Sequence, residues 1–388
     1  MIEADKKVIT HINWLAVDFD IVEQSVKILQ NRIVKAKLAS RSRMVKKLQS
    51  LLVKSLNARI LAVKRVSENK GKNTAGVDGK LLDTNIKKSK YVADLKIKLP
   101  DYKSMPLKRI EIPKKNGKLR PLGIPTMFDR SIQALYKIAL EPIAEVVADK
   151  NSYGFRPKRS TQDAMKQVWL CTSKKNGGEW ILEADIKGCF DNISHQWMYD
   201  NIPLDNRLLK QWLKSGFIKD DTLFPTDAGT PQGGIISPIL ANMVLDGIED
   251  IVKNHKARFQ KMVNGVIIYR HTNRLNFIRY ADDFVITGRT PEDLRLVQKD
   301  IEKFLNIRGL ELSKEKTHIT NIRDGFDFLG FNFRKYPNDK VIVTPTKDGI
   351  KSFKSKIKEI FKKYNSSSLT MLITKLNPLL RGWANYYR

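Results

Sequence analysis

Asp282 and Asp283 stand side by side between two short runs of β-forming residues, Phe277-Ile278-Arg279-Tyr280 and Phe284-Val285-Ile286-Thr287. That pattern predicts a strand, a tight turn and a second strand. Adjacent carboxylates repel, so holding both at a hairpin tip costs stability unless something positive meets them. Mg²⁺ suits the position: it takes oxygen ligands, often one or two carboxylates plus substrate phosphates. A bare Asp-Asp pair is nonetheless more often a solvated acidic turn than a metal site. Asp185 changes the balance. It closes the apolar run Trp180-Ile181-Leu182-Glu183-Ala184, which reads as a strand, and it can meet the hairpin carboxylates if the two strands are neighbours. Three converging carboxylates could hold two Mg²⁺ ions ~3.5–4 Å apart, which stabilises attacking and leaving oxygens in phosphoryl transfer. Between them lies Thr230-Pro231-Gln232-Gly233-Gly234-Ile235-Ile236-Ser237-Pro238, a glycine-rich turn opening a helix. Paired glycines let backbone approach a ligand closely, and Gln232 offers both donor and acceptor. Such a loop alone is ordinarily a plain connection into a helix.

The elements that must position these groups are a mixture of helices and strands. Apolar residues at Val22, Val26, Leu29, Ile33 and Ala36 predict an amphipathic helix. A second helix is expected from about Met44 to Val66, with Leu48, Leu52, Leu56, Ile60 and Val63 on one side and Lys46, Lys47, Lys54, Arg59, Lys64 and Arg65 on the other. Asn69 to Gly79 is a loop with three glycines, and Lys115-Asn116-Gly117-Lys118 is a hairpin turn between extended pieces at 109–113 and 119–125. Helices are expected over 129–147, from 160 or 161, over 237–252 and over 292–306. Strand-like stretches follow around 310–320 and 326–333. From about Lys347 the chain reads as helix, interrupted by Pro378 and Gly382. Without regular βαβ spacing, the fold class is α+β rather than a doubly wound sheet.

Composition narrows the partner. The 388 residues carry 71 Lys+Arg against 41 Asp+Glu, a net charge of +30. Residues 21–120 hold +20 of it and residues 333–388 a further +10, so the rest is neutral. A neutral body between two basic ends suggests a catalytic centre flanked by surfaces for a polyanion, nucleic acid foremost. Cys171 and Cys189 are too few for a disulfide framework or a zinc cluster, and the five histidines have no ligand spacing. No apolar run approaches the ~18 residues of a membrane span, and no signal-peptide core is seen. A soluble, intracellular protein is the expectation.

Tyr280-Ala281-Asp282-Asp283, with Asp185 upstream and Pro231-Gln232-Gly233 between, resembles the reverse transcriptase signature. Further segments are similar to the reverse transcriptases encoded by bacterial and organellar group II introns: Thr74-Ala75-Gly76-Val77-Asp78-Gly79, Arg120 to Pro125, Tyr153-Gly154-Phe155-Arg156-Pro157, Ala184 to Asn192, Gly229 to Pro238, Phe328-Leu329-Gly330-Phe331, and Gly382 to Tyr387. The resemblance implies a right-hand polymerase of fingers, palm and helical thumb. It assigns residues 1–104 to a basic helical N-terminal extension and the start of the fingers, 105–340 to fingers and palm, and 341–388 to the start of the thumb, or domain X, in which the chain is expected to stop short. By position, Asp185, Asp282 and Asp283 match the metal-binding carboxylates, and the carbonyl of Ile186 completes that site. Lys114 and Arg120 match the pair that grips the incoming triphosphate, with Lys118 nearby. Phe190 matches the aromatic that lies under the sugar and excludes a 2′-hydroxyl. Gln232 matches the residue contacting the nucleotide. Lys316, in Ser313-Lys314-Glu315-Lys316-Thr317, resembles the lysine proposed to protonate pyrophosphate, and Phe328 to Phe331 the hairpin at the primer end.

The function so implied is RNA-directed DNA synthesis: a primer 3′-hydroxyl attacks a dNTP on an RNA template with two Mg²⁺ ions, Mn²⁺ being a possible substitute. A second implied role is binding group II intron RNA to assist splicing, which needs the basic surfaces but not the aspartates. The implied partners are an RNA template with a DNA or RNA primer, dNTP, the intron RNA and a DNA target, with no membrane. The implied setting is a ribonucleoprotein in the bacterial cytoplasm, an organellar origin remaining open. Three rivals stand beside this reading. One is a maturase that needs no polymerase activity, another a defence-associated reverse transcriptase, and the last an RNA-dependent RNA polymerase. Phe190 argues against the last, since those enzymes place a small or polar residue there. No Cys/His constellation for an HNH endonuclease is present.

Overall fold

The computed structural model describes residues 12–113, 117, 119–174, 177–220, 222–231, 233–255, 257–263, 266–272 and 275–388. Helices α1 (Phe19–Leu38), α2 (Ser42–Lys54) and α3 (Leu56–Glu68) come first. The side chain of Asp18 starts α1 by accepting from the Asp20 and Ile21 N–H groups, and the stripe Val22, Val26, Ile33 and Ala36 is buried as its spacing requires. The single helix expected over 44–66 is two. Ser55 breaks it: its extended backbone ends α2, and its hydroxyl accepts from the Ala58 N–H to start α3. Serine suits that position because its oxygen satisfies an otherwise orphaned donor. Lys46, Lys47 and Lys54 are exposed as expected. Arg59 is not on that basic face; it is buried and donates to the Val92 carbonyl at 3.0 Å.

Helix α4 (Asn85–Ile97) lies in the basic stretch where no periodicity is legible, because it buries only Ser89, Val92 and Leu95. Strands β1 (Leu107–Pro113) and β2 (Leu119–Ile124) form the expected antiparallel hairpin. Then come α5 (Met127–Val147), α6 (Thr161–Thr172), β3 (Trp180–Asp185), α7 (Cys189–Asn192), α8 (His195–Asn201), α9 (Asn206–Leu213), β4 (Phe217–Lys219) and β5 (Thr222–Phe224). The helix expected over 237–252 is likewise split, into α10 (Ser237–Leu245) and α11 (Ile248–Asn254), by Gly247 at φ 108°. Strands β6 (Ala257–Val263), β7 (Val266–Thr272), β8 (Asn276–Tyr280) and β9 (Asp283–Gly288) follow, then α12 (Pro291–Asn306), β10 (His318–Asn321), β11 (Phe326–Phe328), β12 (Phe331–Lys335) and β13 (Val341–Pro345). Last are α13 (Lys347–Tyr364) and α14 (Leu369–Tyr387). Pro378 and Gly382 do not interrupt α14. The break falls before it, where Ser368 caps the helix by accepting from the Met371 N–H. The far end of α14 is fixed instead: Tyr386 Oη donates to the Leu329 carbonyl at 2.8 Å and Tyr387 Oη to that of Gly330 at 3.1 Å. Leu329 and Gly330 are the two left-handed residues of the β11–β12 turn.

The chain forms two compact units. The first comprises the described residues of Met1–Ala148, Lys187–Asp246 and Leu305–Glu311. In it α1, α2 and α3 pack on α5, Gln30 Nε2 donating to the Ile138 carbonyl at 2.8 Å, and a sheet runs in the order β2-β1-β4-β5. The second comprises Asp149–Ile186, Gly247–Phe304 and Leu312–Arg388. Its central sheet has the order β10-β3-β9-β8, antiparallel throughout. Helix α6 covers that sheet, and Val168, Ile181, Ile278, Val285, Phe326, Phe331 and Phe333 join sheet, helix and the β11–β12–β13 sheet in one apolar core. Among the described residues no helix is long and apolar enough to cross a membrane.

Candidate active site

The second unit brings Asp185, Asp283 and Lys316 together. Asp185 ends β3 directly opposite Asp283, which opens β9. Tyr280 also faces Asp283, so Ala281 and Asp282 form a two-residue loop. Such a loop takes a left-handed first position when it follows the twist of its strands, and Ala281 has φ 58°. A residue with a Cβ is strained there by ~1–2 kcal/mol. Gly154 supports it from outside: its backbone lies so close to Ala281 N that an added Cβ would overlap.

The electrostatics follow from this crowding. The Asp283 carboxyl is pushed up to about 7 by loss of water, by its hydrogen bond with Asp185 and by the like charges of Asp282 and Asp185, while Lys316 pulls the other way. Lys316 Nζ lies 2.7 Å from Asp185 Oδ2. Its position is set by the backbone, since Ser313 N–H donates to the Asp185 carbonyl at 2.8 Å and Lys316 N–H to the Ser313 carbonyl at 3.1 Å. The pairing with Asp185, less a smaller opposing effect of burial, raises the Lys316 pKa.

Among the described residues no three carboxylate, histidine or cysteine side chains converge on one point. Two carboxylates in register is nevertheless the number a Mg²⁺-like ion commonly takes from protein, substrate phosphates and water supplying the rest. Ile186 sits at an isolated bridge with Leu312, flanked by the Ser313-to-Asp185 and Lys187-to-Glu311 bonds, so its own carbonyl points out of that ladder. The donor set fits a hard divalent cation.

The first unit holds Arg120, Phe190 and the loop around Pro231. Arg120 is exposed on β2, opposite Ile112. Phe190 does not continue the strand of Asp185. Gly188, at φ 53°, turns the chain into the short helix α7, and Phe190 lies there, half-buried. The glycine-rich loop is held against it: Thr230 N–H donates to the Phe190 carbonyl at 2.6 Å, and His195 Nε2 donates to that of Gly229 at 2.7 Å. Gly229, at φ 82°, permits this approach, since a Cβ would stand 2.5 Å from the Phe190 oxygen. Phe190, Thr230 and Pro231 line a cavity of about 300 Å³ with Arg109 and Phe217. Lys114, Lys118 and Gln232 lie outside the described residues.

Sequence reasoning passed over Arg279 and Asp149. Arg279 is wholly buried in β8 and donates to the Ala281 carbonyl at 3.3 Å, and its Nη2 stands 3.9 Å from Asp149 Oδ2. A lone arginine in an apolar strand was the available signal, because a buried charge needs a partner.

The chain is similar to known proteins over most of its length. Residues 112–333 match the family model described as reverse transcriptase (RNA-dependent DNA polymerase), residues 14–95 the N-terminal domain of reverse transcriptase, and residues 350–388 the group II intron, maturase-specific domain. The group II intron-encoded protein LtrA of Lactococcus lactis subsp. cremoris is 31% identical over 84% of this chain and 68% of its own. Protein YkfC of Escherichia coli (strain K12) is 30% identical over 78% of this chain and 88% of its own. The putative COX1/OXI3 intron 1 protein of Saccharomyces cerevisiae is 28% identical over 74% and 39%.

Proposed function

The chain belongs to the group II intron-encoded reverse transcriptases and maturases, and from that premise we propose that Asp185, Asp282 and Asp283 hold the divalent cations of its RNA-directed DNA polymerase reaction. The observation that carries this is the placement of Asp185 opposite Asp283 across β3 and β9, one residue from Asp282 in the tight loop. Mg²⁺ is the ion this oxygen donor set suits, Mn²⁺ substituting, with Asp185, Asp283, Asp282 and the Ile186 carbonyl as ligands. When bound, the cations supply Lewis-acid stabilisation of the attacking and leaving oxygens. Lys316 is protonated and within reach of the carboxylates, which supports its role as the acid that gives a proton to pyrophosphate. Phe190 screens the sugar, and Arg120, with Lys114 and Lys118, takes the triphosphate. Gln232 contacts the nucleotide. Arginine's planar fork and lysine's point charge both suit phosphate.

The basic ends serve the other half of the family's function, binding intron RNA in splicing. An RNA template carrying a DNA or RNA primer is the polymerase substrate in this reading, and a DNA target the site of insertion. Asp185→Ala and Asp283→Ala should each abolish primer extension while leaving RNA affinity nearly intact, because these acids do not attract a polyanion. Primer extension run beside filter binding reads both quantities. Normal extension by the Asp185 variant would sink the metal assignment.

A further inference from the structure

β8 is the outer strand of the central sheet, and one side of it is taken by the segment Asp149–Gly154. Arg279 N–H donates to the Asn151 carbonyl at 2.9 Å, and Tyr153 N–H donates to the Arg279 carbonyl at 2.8 Å, with Ser152 bridged to Arg279 in parallel. The segment thus adds a short strand at the one residue that precedes Tyr280 and the turn. The Arg279 side chain makes a second link to the turn through its guanidinium. It is fully buried, with one end at the Ala281 carbonyl, the acceptor immediately before Asp282, and the other at Asp149.

Asp149 is itself anchored. It is buried, and its Oδ1 accepts from the Gly247 N–H at 2.9 Å and its Oδ2 from the Glu249 N–H at 3.4 Å, at the start of α11. Glu249 in turn accepts from Asn151 N–H at 3.0 Å and from Asn151 Nδ2 at 2.9 Å. The chain from α11 to the Ala281 carbonyl is therefore buried throughout: hydrogen bonds hold Asp149 to α11 and Arg279 to Ala281, and the ion pair at 3.9 Å joins the two side chains.

A buried ion pair is a poor way to gain stability, since apolar side chains of similar volume often serve as well or better. What a fork-shaped arginine adds is direction. Resting on the metal reading of the turn, we propose that Arg279 and Asp149 are positioning residues for the polymerase reaction: they fix the Ala281 peptide and so set where Asp282 and Asp283 present their carboxylates. Neither touches substrate. They act as hydrogen-bonded partners behind metal ligands generally do, and loss of such partners typically costs about 10–100-fold in metal affinity or activity.

The test uses the full chain without nucleic acid. Mn²⁺ binding is followed by electron paramagnetic resonance for the parent, Arg279→Lys, Arg279→Met, Asp149→Asn and, as reference, Asp283→Ala. Melting temperature is measured on the same samples, and kcat and KM for dNTP in primer extension. The expected result is that Arg279→Lys and Asp149→Asn fold, bind Mn²⁺ about 10-fold more weakly or worse, and lose kcat with little change in KM. Arg279→Met should show the same loss enlarged, and if it does not fold, the two conservative variants decide. Loss of Mn²⁺ binding in Asp283→Ala alone, with both conservative variants like the parent, overturns the positioning role. Activity losses that track melting temperature with Mn²⁺ affinity unchanged overturn it too. Unchanged Mn²⁺ binding in Asp283→Ala overturns the metal reading beneath it.

Discussion

Replacing Lys316 by methionine should tighten cation binding and slow catalysis at once. The ammonium stands 2.7 Å from Asp185 Oδ2, with the lysine side chain 66% exposed and that of Asp185 only 17%. Ion pairs with an exposed partner contribute ~0.2–1 kcal/mol, and the sheltered carboxylate places this one in the upper half of that range. A divalent cation that claims Asp185 must compete with the lysine for the same oxygen. Removing the competitor should strengthen binding by about 2–5-fold, the equivalent of ~0.5–1 kcal/mol. Methionine keeps the unbranched stem and removes only charge and donors. If Lys316 also gives the proton to the leaving group, kcat should fall by about 10²–10⁴-fold, the usual range for a general acid. Mn²⁺ titration of the protein without nucleic acid reads the first quantity, and single-turnover extension at saturating Mg²⁺ the second. Cation affinity equal to or weaker than the parent's would refute the competition.

Three other outcomes follow from the same geometry. Phe190→Val should lower the preference for dNTP over NTP by about 10–200-fold, the range expected when a pocket wall is cut back; a folded variant with unchanged preference removes Phe190 from the sugar. His195 is a buried ring donating through Nε2 to Gly229, its Nδ1 has no partner among the described residues, and burial holds its pKa below the ordinary value, with the Gly229 bond working the other way. A base with a lowered folded pKa contributes stability that is present above ~6.5 and lost as pH falls through the folded value. The melting temperature of the parent should therefore drop more steeply below pH ~6.5 than that of His195→Gln, and parallel curves would contradict this. The exposed Lys46, Lys47 and Lys54 can be changed to alanine together without opening the core, whereas deleting α1 to α3 would uncover α5, on which they pack. RNA binding by the triple variant should lose salt dependence by about 0.7–0.9 in log–log slope per contact removed, and an unchanged slope places the RNA elsewhere.

The parts of the fold that were legible are those where one side chain pattern controls one element. The buried stripe of α1, the hairpin on either side of Gly117, the Tyr280–Asp283 turn and the capping box of Ser160 and Asp163 that starts α6 all announce themselves locally. Misreadings arose where two elements share a phase. Apolar spacing continues unbroken through Ser55 and through Asp246-Gly247, and only a cap in one case and a left-handed glycine in the other decides that the helix stops. Pro378 misled in the opposite direction, because tertiary bonds from Tyr386 and Tyr387 hold the helix beyond it. Asp185, Asp282 and Asp283 were readable as candidates because the chemistry proposed for them demands carboxylates. Asp149 and Arg279 were not, since they lie 130 residues apart and meet only when β8 takes the segment Asn151–Tyr153 as a neighbour.

Helix α14 has a mechanical consequence. Its 19 residues make a rod about 28 Å long at ~1.5 Å per residue, pinned at its last turn by two tyrosine hydroxyls to Leu329 and Gly330. Phe353 of α13 stacks on Trp383 with ring centroids 4.2 Å apart, so the two helices tilt as one arm. Leu369 lies 17 residues from Tyr386, about 25 Å along the helix, and the pins make a fulcrum beside the β11–β12 turn. A given tilt displaces Leu369 and Met371, far from the pins, much more than it displaces the residues of that turn. The arm is geared down: it can follow an object of varying width while the turn it rests on barely moves.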